Sequence, residues 1–326
     1  MKNIESLGEF GLINIIKKRF SANVSGKDII FAAGDDCFCF KAGRSNICVT
    51  KDMLVEDVHF KKDWISAFDL GMKAVEVNVS DIASMGEVKP KYVFVGLACP
   101  GNVPVSYIKK LYEGMKKACC KYGAVIAGGD TVKSEKLVIS VTVVGEGGKN
   151  IVGRNGAENG DFIGVTNTFG DSAAGLDLLT KYGAKYDFNK DQKYLISRHN
   201  LPQARLTQAN KIAKHITAMT DASDGLYISV DLIAKAGEKG ANIYIERIPL
   251  SEPLKRIFDA RKRKEFALYG GEDFELVFTA PASKARLIKK LAPSVSYIGI
   301  INNSKKVKYF NNGKEEKTKY CGYKHF

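Results

Sequence analysis

The sequence predicts two α/β domains, roughly 1–148 and 149–326. Three observations carry that expectation. A chain of 326 residues is long for one hydrophobic core. Short apolar runs of strand character alternate with stretches of helical period. The alternation restarts after Gly145-Glu146-Gly147-Gly148-Lys149-Asn150, whose glycines make it the best linker candidate.

The elements follow in order. Residues 8–20 space their apolar positions as a short amphipathic helix. Over 29–60, clustered and alternating apolar residues predict strands separated by the acidic turns at Gly34-Asp35-Asp36 and Thr50-Lys51-Asp52. Over 66–86, Leu70, Ala74, Val77, Ile82 and Met85 fall at helical spacing, with Gly86 as the C-cap. Residues 91–99 read as a strand, and 104–122 as a helix opened by Pro104, where proline is tolerated. Strands are expected at 124–128 and 136–145. In the second half they are expected at 161–166, 241–246, 274–279 and 296–301. Helices are expected there at 171–182 and 203–214, and from an N-cap at Ser223 to about Ala236. No internal repeat or low-complexity segment is visible.

Composition narrows the function classes. Lysine and arginine number 50 against 36 acids, a net charge of +14. The cations are scattered, with no basic run interleaved with aromatics, so nucleic acid is not the expected partner. A basic surface suits a small anionic ligand as well. Seven cysteines lie mostly in apolar runs without a C-x-x-C pair, which reads as reduced buried thiols and no zinc site. Residues 1–6 lack an apolar signal core, and no stretch reaches the ~18 apolar residues of a membrane span. A cytoplasmic protein without membrane contact is the expectation. The P-loop, the dinucleotide glycine loop, the protein-kinase signatures and the G-x-S-x-G elbow are all absent.

The chemistry lies in a pattern that occurs five times: an apolar run ending in an acidic turn. The turns close on Asp35-Asp36, Asp52, Asp130, Asp221 with Asp224, and Glu272-Asp273. Carboxylates from distant segments suggest a shared cation, and with few histidines a hard, oxygen-liking one, Mg²⁺ above Zn²⁺. Phosphoryl transfer needs such ions, carboxylates to hold them and donors for phosphate. Asp35, Asp36, Asp52, Asp81, Asp130, Asp221 and Asp224 are candidate ligands, with Thr50 as a further hard oxygen. Gly128-Gly129 offers backbone N–H groups to a phosphate, and Ser223 a helix start.

Longer motifs carry a resemblance. Gly34-Asp35-Asp36-Cys37, Thr50-Lys51-Asp52-Met53-Leu54-Val55-Glu56-Asp57-Val58-His59-Phe60 and Asn78-Val79-Ser80-Asp81 resemble thiamine-monophosphate kinase. So do Gly128-Gly129-Asp130-Thr131, Gly170-Asp171-Ser172, Asp221-Ala222-Ser223-Asp224-Gly225, Gly270-Gly271-Glu272-Asp273-Phe274 and the terminal Gly322-Tyr323-Lys324-His325-Phe326. The matches run in order along the whole chain. This family is grouped with aminoimidazole-ribonucleotide synthetase, selenophosphate synthetase and a hydrogenase-maturation protein. The resemblance implies an α/β (α+β) fold of the aminoimidazole-ribonucleotide-synthetase type. Its N-terminal domain, 1–148, would bind ATP and metal and form a β-barrel across a homodimer. Its C-terminal α/β sandwich, 149–326, would complete the substrate site. The implied reaction is direct transfer of phosphate from ATP to thiamine monophosphate, giving thiamine diphosphate, with several Mg²⁺ ions.

Residue by residue, the resemblance implies metal ligands at Asp36, Thr50, Lys51 (through its carbonyl), Asp52, Asp81, Asp130, Asp221 and Asp224. Asp52, Asp130 and Asp221 would be the catalytic carboxylates. ATP would meet Tyr112, Gly129, Asp130, Arg154 and Ser223. Thiamine monophosphate would meet His59, Glu272 and Tyr320. Lys51 stands where the family more often has threonine, and Asp57 where it often has glycine. Taken alone, His59 would be a strand histidine, Arg154 a loop residue, Glu272 a turn residue and Tyr112 a packing residue. His199, His215 and His325 read as structural. Two alternatives are a ligase of the aminoimidazole-ribonucleotide-synthetase kind, disfavoured by His59-Phe60 and the terminal motif, and a basic nucleic-acid binder.

Overall fold

The computed structural model describes residues 4, 8, 11–16, 26–32 and 34–318. Tyr320 and the terminal motif lie outside them. Residues 11–16 are helical (α1). The first half then builds a six-stranded sheet in the order β1-β2-β3-β6-β4-β5. Its strands are β1 (Ile29–Phe31), β2 (Phe38–Ala42), β3 (Ser45–Val55), β4 (Gly86–Cys99), β5 (Val125–Lys133) and β6 (Val138–Ile151). All pairs are antiparallel except β4–β5, the pair joined through a helix, as a parallel crossover requires. The sheet is open in the single chain, with β1 and β5 as edges, so no barrel closes within one copy.

Two helices, α2 (Ala67–Ser84) and α3 (Val105–Tyr122), pack against each other beside this sheet. They approach closely because each offers a glycine. A Cβ on Gly71 would stand 1.9 Å from the Leu111 carbonyl oxygen, and one on Gly114 the same distance from that of Phe68. Helix α2 is capped by Ser66, whose hydroxyl accepts the Asp69 N–H.

The second half holds a seven-stranded sheet, β13-β12-β9-β11-β7-β10-β8. These strands are β7 (Phe162–Val165), β8 (Ala218–Asp221), β9 (Gly240–Tyr244), β10 (Leu276–Ala280), β11 (Ser296–Asn302), β12 (Val307–Asn311) and β13 (Lys314–Glu316). Helices α4 (Asp171–Tyr182), α5 (Lys190–Asn200), α6 (Leu206–Ile212), α7 (Leu226–Ala236), α8 (Glu252–Ile257), α9 (Ala260–Tyr269) and α10 (Ala285–Leu291) complete it. Strand β10 is buried throughout because both its faces are covered. Val277 enters the cluster around α7, while Leu276, Phe278 and Ala280 enter the larger cluster around α2, as the two-residue period of a strand dictates. That larger cluster joins residues of both halves around α2.

Several expectations are corrected. The stretch 145–150 belongs to β6, where Gly145 and Gly147 pair with Cys48 and Asn46. Those glycines serve strand packing, since a Cβ on Gly145 would meet Val88 Cγ1 at 2.8 Å. Thr50-Lys51-Asp52 and Gly128-Gly129-Asp130 are mid-strand in β3 and β5, not turns. Phe266–Tyr269 ends a helix, because the charged turn before it continues the same coil. Ser223 is not an N-cap. Gly225 holds that position in α7, and residues 222–225 are still a loop. Finally, Cys39 and Cys48 face each other across β2 and β3 and form a disulfide, against the expectation of reduced thiols throughout. No described helix is long and apolar enough to cross a membrane.

Candidate active site

Alternation along β3 decides which side chains reach the interior. Thr50 and Asp52 turn inward towards α2, while Lys51 and Met53 turn to the open face. Lys51 Nζ there reaches Thr142 Oγ1 at 3.4 Å. Asn78 on α2 fixes Asp52 by accepting its backbone N–H at 3.0 Å. Three further segments converge beside it. Asp36 comes from the turn before β2, Asp81 from α2 and Asp221 from the end of β8, and one carboxylate oxygen from each lies within 4.8 Å of the others.

The cluster is held by two hydroxyl donors and one guanidinium. Thr50 donates to Asp81, and Ser80 to Asp221. Arg154 binds Asp36, Gly34 O and Thr220 Oγ1 with its three side-chain nitrogens, locking the Gly34-Asp35-Asp36 turn to β8. The other oxygen of Asp36, Oδ2, is buried without a partner. Burial first, and then the neighbouring carboxylates, push Asp221 up to about 8 and Asp52 up to about 6, and Asp81 well above its ordinary range. The cluster is therefore short of positive charge. Cys37 lies against it with its thiol on the Asp81 carbonyl; burial and the same acids hold it as the thiol.

A cavity of about 510 Å³ opens beside the cluster, and Asp52 belongs to its wall. His59, Trp64, Ser223, Asp224 and Glu272 line it too. His59 Nδ1 accepts the Val55 N–H at 3.1 Å, which leaves the ring proton of neutral His59 on Nε2. Backbone strain gathers here: Asp57, Glu272 and Phe274 all have positive φ. The strain at Glu272 and Phe274 is offset by hydrogen bonds from their N–H groups to Ser223 O and Ala222 O.

Gly129, Asp130 and Tyr112 lie elsewhere. Asp130 is exposed on edge strand β5. It pairs with Gly96, which pairs with Ser140, which pairs with Met53, so it shares the open face with Met53. Strand β5 is three positions from β3, ~14 Å at the usual strand spacing. Within one chain, Asp130 thus stands on the wrong face to join the cluster. Tyr112 lines a separate groove with Val125 of β5.

This geometry has relatives. Residues 34–146 match the model for the N-terminal domain of AIR synthase related protein, and 158–310 that for its C-terminal domain. The thiamine-monophosphate kinase of Aquifex aeolicus is 37% identical over 99% of both chains, and that of Bacillus subtilis 36% over 93% of this chain and 94% of its own. The chain belongs to the thiamine-monophosphate kinase family. The solved structure of AaThiL complexed with AMPPCP and TMP aligns with 100% of this chain and 99% of that one, at 36% identity and a TM-score of 0.88.

Within that family frame, several site residues escaped the sequence reading: Trp64, Lys73, Asn78, Ser80 and Thr220. A signal existed for those on α2. Lys73, Glu76, Asn78 and Ser80 alternate with apolar residues in the middle of the helix and are buried, and buried polar groups demand partners. Those partners come from other segments, so their identity was invisible.

Proposed function

We infer that this chain is a kinase that transfers the γ-phosphate of ATP to thiamine monophosphate, forming thiamine diphosphate. Family membership supports the reaction. The observation that carries it in this chain is that Asp52 belongs at once to the carboxylate site and to the cavity holding His59 and Glu272. A phosphate group bound in the cavity would thus end beside the acids.

The residues fit Mg²⁺. Every donor is a hard oxygen, Asp36 Oδ2 is buried and unpartnered, and burial and neighbouring carboxylates raise Asp81 and Asp221, a repulsion that a divalent cation would relieve. Asp36, Asp81 and Asp221, with Thr50, would hold the ions, and Asp52 and Asp224 would face the transfer site. Bound Mg²⁺ would supply the positive charge that offsets the charge of the phosphates. His59 would offer its Nε2 proton to the substrate phosphate, Glu272 would accept from the aminopyrimidine, and Trp64 would supply a ring face. In the transfer, an oxygen of the monophosphate bonds to the γ-phosphorus as the bond to the β,γ-bridging oxygen breaks, and ADP leaves with that electron pair. The acceptor oxygen is already ionised, so no general base is required.

A homodimer completes this reading. The open face of the first sheet exposes Met53, Tyr92, Phe94 and Val125 at 42–56%, an apolar surface that a second copy would cover. Its β5 would bring Gly129, Asp130 and the Tyr112 groove to this chain's cluster, giving the nucleotide its binding surface. In this reading 1–148 is the nucleotide, metal and dimerisation unit, and 149–326 completes the cavity.

The test is formation of thiamine diphosphate from thiamine monophosphate, ATP and MgCl₂, with free thiamine run in parallel. Product from the monophosphate alone, abolished by EDTA, supports the reading. A folded protein that binds ATP and makes none would overturn it.

A further inference from the structure

Lys73 is an unusual lysine. It sits mid-helix on α2 with its side chain 1% exposed, a burial that costs stability unless the charge is paired. Its Nζ donates to Glu272 Oε2 at 3.1 Å and to the His199 carbonyl at 3.2 Å. His199 Nδ1 lies 3.2 Å from the same Oε2. Burial first, then the Lys73 charge, pulls His199 down to about 4, so it is neutral. A carboxylate can only accept, so the shared proton is on Nδ1. Ser172 Oγ braces the ring at 3.2 Å. Both bonds therefore fall on one oxygen of Glu272, while a quarter of its side chain faces the cavity. Burial alone would raise the Glu272 carboxyl, yet Lys73 and His199 hold it below its ordinary value.

We propose that Lys73 and His199 are positioning residues for substrate choice: they pin Glu272 Oε2 so that Oε1 stays an ionised acceptor, and the cavity selects a ring bearing an amino group over the same ring bearing an oxo group. This rests on the kinase reading and specifies how its substrate ring is recognised. An amino group donates to Oε1. An oxo group would set acceptor against acceptor and leave a buried carboxylate unsatisfied. Without Lys73, Glu272 takes up a proton and can donate to an oxo group, so the preference falls.

Binding tests this without turnover. The chain has one tryptophan, Trp64, and it lines the cavity, so its fluorescence reports occupancy. Thiamine monophosphate and its 4-oxo analogue, oxythiamine monophosphate, are titrated into wild type, Lys73→Met, the polar Lys73→Gln and the charge-balanced Lys73→Met/Glu272→Gln. Wild type should favour the amino ligand, and every variant should lose that preference by about tenfold or more. ATP affinity should hold, and the double variant should match Lys73→Met, since the two residues act as a unit. A role in packing alone would weaken both ligands equally and keep their ratio. The proposal is overturned if folded Lys73 variants keep the wild-type ratio. If wild type binds neither ligand, the kinase reading fails and this inference with it.

Discussion

The carboxylates of Asp36, Asp81 and Asp221 share one buried site, and burial and the neighbouring negative charges make ionisation of Asp81 and Asp221 harder. The sign of the resulting pH dependence is opposite to that of a salt-bridged acid. Asp52 at about 6 and Asp221 at about 8 hold protons that the unfolded chain releases near ~4. Their contribution to stability is thus complete below ~4 and is lost as pH rises through 6 and 8. In EDTA, Tm should fall between pH 6 and 8.5, and Asp221→Asn should flatten that slope. Mg²⁺ competes with those protons, so it should raise Tm more at pH 8.5 than at pH 6. A Tm that rises over this range in EDTA would contradict the assignment. Asp52→Asn should keep the fold and lower kcat by ~10²-fold or more, because a charge between the two substrates is gone. Near-normal turnover would place the transfer site elsewhere.

Helix α2 organises the site as an element. It is buried on most sides, so its polar side chains cannot turn to water and each is spent on a specific partner. Lys73 holds Glu272, Asn78 holds the Asp52 backbone, and Ser80 holds Asp221. Glu76 takes Lys121, Tyr122 and the Ala204 N–H, tying α2 to α3 and to the second half of the chain. This placement depends on α2 sitting tight against α3. Gly114→Ala would drive a methyl group into the Phe68 carbonyl and force the helices apart. It should cost ~1–3 kcal/mol in urea unfolding, the range for overpacking. An unchanged midpoint would mean that the contact gives way freely.

At the scale of the molecule, the role proposed for Asp130 would require a second chain. Asp130→Asn and Asp221→Asn, each inactive alone, should complement when co-expressed. A heterodimer keeps one site with both acids intact, so about a quarter of wild-type activity should return from a random mixture. No recovery from an isolated heterodimer would return Asp130 to its own chain's chemistry. Light scattering should give a mass near twice the 35.7 kDa of the chain, and charging the open face with Phe94→Asp should shift it towards the monomer.

The α/β class, the α2 and α4 helices and most of the acids and cavity residues could be read along the chain, because local period and short motifs report what neighbouring residues need. Helices α5, α8, α9 and α10 were missed. Segments such as the charged first turns of α9 carry too few apolar residues to show a period, and they fold because others cover them. The Cys39–Cys48 pairing depends on strand register, and the inward turn of Asp52 against the outward turn of Asp130 depends on which face of the sheet each strand presents. The sequence by itself determined which groups are present, hard oxygens, few histidines and one tryptophan. Only the tertiary structure decided that Lys73 meets Glu272 and that Asp130 stands apart from the other acids, because a side chain's partner is set by segments that packing, not chain order, brings together.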